Sequence, residues 1–263
     1  MRGALRRCFV DGPYGQMHAR AGGRPRRRDF YAIHQSPSSS RIFEPVLEAL
    51  ADDRRVAASD TPGYGESAAP PSPPSIADYA RAHGVALDAL GFSEVDLLGY
   101  YTGSRIAVDL ALQRPDQVRH LVLFGAAIYT AEELARERTT YADRVPDWDM
   151  GHLRAWWDHL KRHRNPDYPL ESFLRDFAEL QRHGRVSPWG HAAAHAYRLE
   201  DALPRLTQPV VVLCTDDAIG VMSRRALPYL RNGRLVELPY PGQGLLELHT
   251  AEVIAVLRQC FDD

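Results

Sequence analysis

Five residues near the middle of the chain, Gly99-Tyr100-Tyr101-Thr102-Gly103, carry its most specific chemical signal. An apolar run, Val95 to Leu98, precedes them, and Ile106, Ala107, Leu110 and Ala111 follow at helical spacing. A buried strand, an abrupt turn and a helix are expected, with glycines flanking one central residue, Tyr101. Small neighbours let the backbone take a strained bend there, so that the central side chain stands clear of the sheet. A phenol, with a reference pKa of about 10, is a poor nucleophile toward an ester. It can still donate a hydrogen bond or transfer a proton. Ser104 lies one turn into the helix, behind the bend. Tyr100 is expected to pack against neighbouring elements.

The elements that must hold this bend alternate. Cys8–Val10 and Gln16–Arg20 flank a Gly/Pro turn and read as a hairpin, and Asp29–Ile33 as a third strand. Ser40 opens an amphipathic helix through Ile42, Phe43, Val46, Leu47 and Leu50. The strand Arg55–Asp60 leads into a turn-rich segment and a proline-rich loop, Pro70 to Pro74. Ser75 or Asp78 then caps a helix through Leu90. His120–Phe124, Pro209–Cys214 and Arg234–Leu238 read as further strands, with helices over Arg224–Leu230 and Ala251–Phe261. This alternation predicts a mostly parallel, doubly wound α/β sheet. From Thr130 to Arg205 no strand pattern appears; helical patterns run through Leu153–Leu160, Leu170–Leu180 and His191–Leu199.

Bulk properties narrow the function. The chain has 263 residues and a net charge of −2, with one lysine, Lys161, so arginine supplies nearly all positive charge. That balance gives no electrostatic case for nucleic acid or an anionic membrane. Cys8, Cys214 and Cys260 are far apart, which argues against a disulfide framework or a zinc site and fits a reducing cytoplasm. No apolar run reaches the length of about 20 residues that a membrane helix needs. His159 and His163 are an i,i+4 pair without the acidic neighbour of a zinc signature, and read as surface residues. Trp148, Trp156, Trp157 and Trp189 line a pocket or form the core of their own segment.

Several segments together resemble the α/β-hydrolase superfamily, over nearly the whole chain. His34-Gln35-Ser36-Pro37 is similar to the family's His-Gly-x-Pro loop after the third strand, and Asp60-Thr61-Pro62-Gly63-Tyr64-Gly65-Glu66-Ser67 to its Asp-x-Pro-Gly-x-Gly-x-Ser segment. The glycine-flanked bend resembles its nucleophile elbow. The resemblance implies an α/β-hydrolase fold with a core of residues 1–129 and 206–263 and an inserted helical cap, 130–205. It implies an oxyanion hole formed by the backbone N–H groups of Gln35 and Thr102. The triad acid falls on Asp216 or Asp217, with Asp217 the better fit. The triad histidine position falls on Gln243, with His249 as the alternative. His34 stands at the pocket edge, where in the family it is often structural. Ser36, Tyr100, Trp156 and Trp157 are expected in the substrate pocket. No metal or cofactor is implied.

The main departure from the family is Tyr101 where a serine usually stands. The expected function is therefore acid–base chemistry without an acyl-enzyme: a lyase, isomerase or cyclase acting on an apolar or aromatic carbonyl compound. A hydrolase that activates water through Asp217 or His34, and a non-catalytic ligand-binding protein, are the other readings. The expected partner is a small molecule, with neither nucleic acid nor membrane involved; a homodimer is compatible with the sequence.

Overall fold

The computed structural model describes residues 4–142, 146 and 148–262. Its strands are β1 (Arg6–Gly12), β2 (Gly15–Gly23), β3 (Arg27–Ile33), β4 (Arg54–Ser59), β5 (Val95–Tyr100), β6 (Val118–Phe124), β7 (Val210–Cys214) and β8 (Gly233–Glu237). Its α-helices are α1 (Glu44–Leu50), α2 (Ile76–Ala89), α3 (Thr102–Gln113), α4 (Ala131–Ala142), α5 (Gly151–His163), α6 (Leu170–Gln181), α7 (Trp189–Ala196), α8 (Leu199–Ala202), α9 (Ala218–Arg224), α10 (Leu245–Leu248) and α11 (Thr250–Asp262).

All eight strands join one sheet in the order β1-β2-β4-β3-β5-β6-β7-β8. β2 runs antiparallel to β1 and β4, and every later pairing is parallel. Val95–Tyr100 and Val210–Cys214 are buried along their whole length, as strands covered on both faces must be. One apolar layer joins α1, α10 and α11 to the sheet through Phe43, Leu47, Leu50, Val253 and Leu257. The other joins α2, α3 and α8 through Tyr79, Leu87, Ile106 and Leu110. The doubly wound reading of the sequence is what the chain builds.

The sheet order places the site. The chain leaves β3 toward β4 on one side and returns to β5 on the other, so the loops after β3 and β5 diverge at their carboxyl ends. An open α/β sheet leaves a crevice at such a reversal. The helices α4 to α8, between β6 and β7, lie over it. Tyr64 ties them down: its hydroxyl accepts the Gly190 N–H at 2.7 Å and faces the carbonyls of Val186 and Ser187, each at 3.3 Å.

Three details differ from the sequence expectation. The helix expected over Arg224–Leu230 comes earlier, as α9, because the Asp217 side chain caps it by accepting the Gly220 N–H at 2.9 Å. A short 3₁₀ turn, Ser40–Phe43, precedes α1, whose first turn holds Pro45. The polar α4 has little apolar periodicity to announce it. Ser75, rather than Asp78, is the cap of α2; the two side chains form a reciprocal capping box.

Candidate active site

The bend forms as its glycines require. A Cβ on Gly99 would sit 2.5 Å from Ser104 Cα, and one on Gly103 would overlap the Ile33 carbonyl oxygen. Helix α3 therefore starts directly against the end of β3, and its first turn faces the loop that holds Gln35. Tyr101 is held at φ 50°, ψ −108°, a region costly for a residue with a Cβ, and its N–H donates to Phe124 O at 2.7 Å. Ser104 is wholly buried, its hydroxyl placed 2.8 Å from both Gly99 O and Phe124 O, and serves the bend rather than the chemistry.

The Tyr101 ring packs edge-on against Tyr100 and Phe124, with centroids 4.9 and 5.3 Å away. Its hydroxyl reaches Gly242, so close that a Cβ there would overlap it; the same Cβ would lie 3.0 Å from Asp217 Oδ2. Phenol and carboxylate thus crowd one point. Asp217 is held by three donors: Thr215 Oγ1 and Gly220 N–H on Oδ1, and Gly242 N–H on Oδ2, each at 2.9 Å. Asp216 is exposed and does not line the cavity.

Tyr101, Asp217, Gln243, Gln35 and Thr102 all line one cavity of about 680 Å³, with Ser36, Tyr100 and Trp156. The first N–H groups of a helix have no partner within it. The Thr102 amide stands in the first turn of α3, where helix polarity favours negative charge. The side-chain oxygens of Gln35 and Gln243 are buried and unpartnered among the described residues. Tyr100 donates its hydroxyl to Gly242 O at 2.8 Å and stacks on Phe124, and burial raises its pKa well above the usual phenol value.

Three other candidates lie elsewhere. His34 is 0% exposed and absent from the cavity wall. Its Nδ1–H donates to Gln35 O at 2.6 Å and its Nε2 accepts the Thr61 N–H at 2.8 Å, while burial lowers its pKa. It is a neutral brace with neither nitrogen open to a water. His249 stacks on Tyr240 at 3.7 Å, outside the cavity wall. Trp157 packs between Phe173 and Phe177 within the cap.

Residues 30–156 match the family model of the α/β hydrolase fold. Among solved structures, a hydrolase from Pseudomonas aeruginosa superposes with a TM-score of 0.80 at 22% identity, covering 96% of this chain and 97% of that one. The chain has the α/β-hydrolase fold. An esterase from Exiguobacterium antarcticum, 16% identical, gives a TM-score of 0.84 over 97% of this chain and 99% of the esterase. A 2-hydroxymuconate semialdehyde hydrolase from a Pseudomonas species is 42% identical over 83 residues, or 31% of this chain. A putative carbamate hydrolase, RutD, from Rhizobium rhizogenes is 25% identical over 76% of each chain. The matched stretch spans only 29% of the semialdehyde hydrolase and 31% of a similar RutD from Azorhizobium caulinodans.

The cavity is more polar than the sequence suggested. His159, expected on the surface, lines it together with His191 and His195; the side chain of His163 lies outside the described residues. Two groups went unseen. At the α6 side, Tyr168 donates to Asp176 at 2.6 Å, while Ser172 and Arg175 each reach Glu247 at 2.5 Å. Burial raises the Asp176 pKa against the opposing pull of Tyr168 and Arg175. At the α3 side, Arg105 reaches the cavity beside Tyr129. Its only sequence signal is its place four residues after Tyr101, in an otherwise apolar run. The Tyr168 group joins residues about 80 apart in sequence, and no local pattern encodes such a pairing.

Proposed function

We propose that this α/β hydrolase catalyses a proton-transfer reaction on a small carbonyl compound, of the lyase, isomerase or cyclase type, with Tyr101 as the proton-transferring group. The observation that carries the reading is the position of the phenol at the apex of the bend. It lines the cavity and sits beside Asp217, where an elbow serine would stand. A carbonyl oxygen at the Gln35 and Thr102 amides would be polarised as charge develops on it. The phenol would then exchange a proton with the adjacent carbon or leaving group. Asp217, held by three donors, would orient the hydroxyl beside it. No step needs an acyl-enzyme.

A second reading, a hydrolase that activates water by an unusual residue, draws support from the relatives, whose names are those of hydrolases. His34 is a poor base for it, with both nitrogens engaged; Asp176, with its raised pKa inside the cavity, is a better one.

Tyr101→Phe tests the first reading. Turnover of the reactive carbonyl substrate should fall about 10²–10⁴-fold while ligand affinity stays close to wild type. Full activity in that variant rejects proton transfer by the phenol. Under the second reading the wild-type protein turns over p-nitrophenyl acetate above background. A serine-directed fluorophosphonate should label nothing in either case.

A further inference from the structure

Arg105 is 5% exposed and carries a full charge into the cavity wall beneath α7. Its one hydrogen bond among the described residues runs from Nη2 to Ala127 O at 2.7 Å, and its Nε is buried without a partner. The guanidinium lies over the Tyr129 ring at 5.6 Å. No carboxylate pairs with it among the described residues. Glu200 on α8 is within electrostatic reach, but it is bonded to Arg198 at 2.9 Å. A buried guanidinium without a counter-ion is costly. An arginine kept only to hold one carbonyl could be replaced by a neutral donor.

The rest of that cavity end suits an anion. His191 and His195, one turn apart on α7, have rings 6.2 Å apart, and the His195 ring meets Tyr129 edge-on at 5.8 Å. Burial, with Arg105 and Arg138 nearby, lowers the His195 pKa to about 4. Around α6 and α10 the cavity wall carries Asp176, Glu179 and Glu247, and on α4 it carries Glu137, which acts on Tyr129. Arg105 is a buried cation on the α3 side. It lies in the first turn of α3, four residues beyond Tyr101, which precedes that helix.

We infer that Arg105, with His191 and His195, forms an anion subsite that takes the carboxylate of an oxo-acid substrate and thereby sets its ketone or aldehyde carbonyl at Tyr101. The choice of a carbonyl acid rests on the proposed role of Tyr101; the anion subsite itself does not.

Calorimetry on the full chain tests it, with levulinate, its homologue one carbon longer, and the neutral amide of each. At least one acid should bind, with its amide about tenfold weaker or more. Arg105→Gln should weaken that acid about tenfold and leave the amide unchanged. Tyr101→Phe should keep acid affinity within about twofold of wild type. Failure of both acids to bind, equal binding of acid and amide, or full acid affinity in Arg105→Gln overturns the subsite. Should Arg105→Gln fail to fold, the wild-type comparison decides, together with NMR titration of His195. Its pKa should rise when the acid binds, and an unmoved titration overturns the inference. Acid binding that persists while Tyr101→Phe remains fully active removes the catalytic reading and leaves the subsite standing. Loss of turnover in Tyr101→Phe without any acid binding does the reverse.

Discussion

At the scale of single residues, the site turns on one substitution and what it displaces. A serine hydroxyl at the bend would end near the sheet; the Tyr101 phenol extends several ångströms further and comes to rest on Gly242. Only a residue without a side chain leaves room there, so Gly242→Ala should push the ring aside. The expected outcome is a fall in kcat with folding largely retained, read by steady-state kinetics beside a thermal melt. Asp217 plays two parts, as the cap of α9 and as the anchor of Gly242. Asp217→Ala should therefore destabilise the protein by about 1–3 kcal/mol, measured by urea unfolding. A loss well below that range would mean that the loop holds its shape without the carboxylate. The double change Tyr101→Ser with Gln243→His restores the residue types that the superfamily usually keeps at those positions. Esterase activity on p-nitrophenyl acetate should rise above that of the parent protein.

At the scale of elements, the bend depends on two close approaches, at Gly99 and Gly103. Gly103→Ala would drive a methyl group into the Ile33 carbonyl, so α3 must shift away from β3. A cost of about 1–3 kcal/mol is expected, with loss of ligand binding because the Gln35 and Thr102 amides separate. Full stability in that variant would show that α3 can move freely. The cap is held by Tyr64 at one end and by the Tyr168 group at the other, where the Tyr168 ring would lie 2.6 Å from a Cβ on Gly244. Tyr64→Phe leaves the buried Gly190 N–H unpaired and should cost about 1–3 kcal/mol. Limited proteolysis should then cut first between residues 130 and 205.

At the scale of the whole molecule, buried neutral imidazoles set the response to acid. His34 and His83 are both 0% exposed, and burial lowers both pKa values, that of His83 to about 3. Tyr31 and Thr61 occupy the two nitrogens of His83, at 2.8 and 3.1 Å. Below a pH of about 6.5 the unfolded chain binds protons at these residues that the folded chain refuses. Their stabilising contribution is complete above that pH and is lost as pH falls toward the folded values. His83 costs about 1.4 kcal/mol per pH unit in that window, and His34 adds a loss of the same sign. Asp60 adds a second fall. Burial alone would raise its pKa, but the His18 side chain and the N–H groups of Ser40 and Glu66 hold it well below the ordinary value of 3.8. Its contribution is lost as pH drops under that value. Urea midpoints measured from neutral pH downward should decline steadily below about 6.5. A flat profile to pH about 5 would contradict the neutral state of both histidines.

Local chemistry made much of this molecule legible. Glycines around Tyr101, the apolar residues of β5 and β7 and the capping signal at Ser75 act over a few neighbours, so the alternating elements and the bend could be read directly. The other assignments required distances between residues far apart in the chain. Folding buried His34 against Thr61, turned Trp157 into the cap, drew His159, His191 and His195 to the cavity and left Arg105 without a carboxylate partner among the described residues. Burial, partners and charge balance are properties of packed surroundings, and those surroundings exist only once the cap has closed over the sheet.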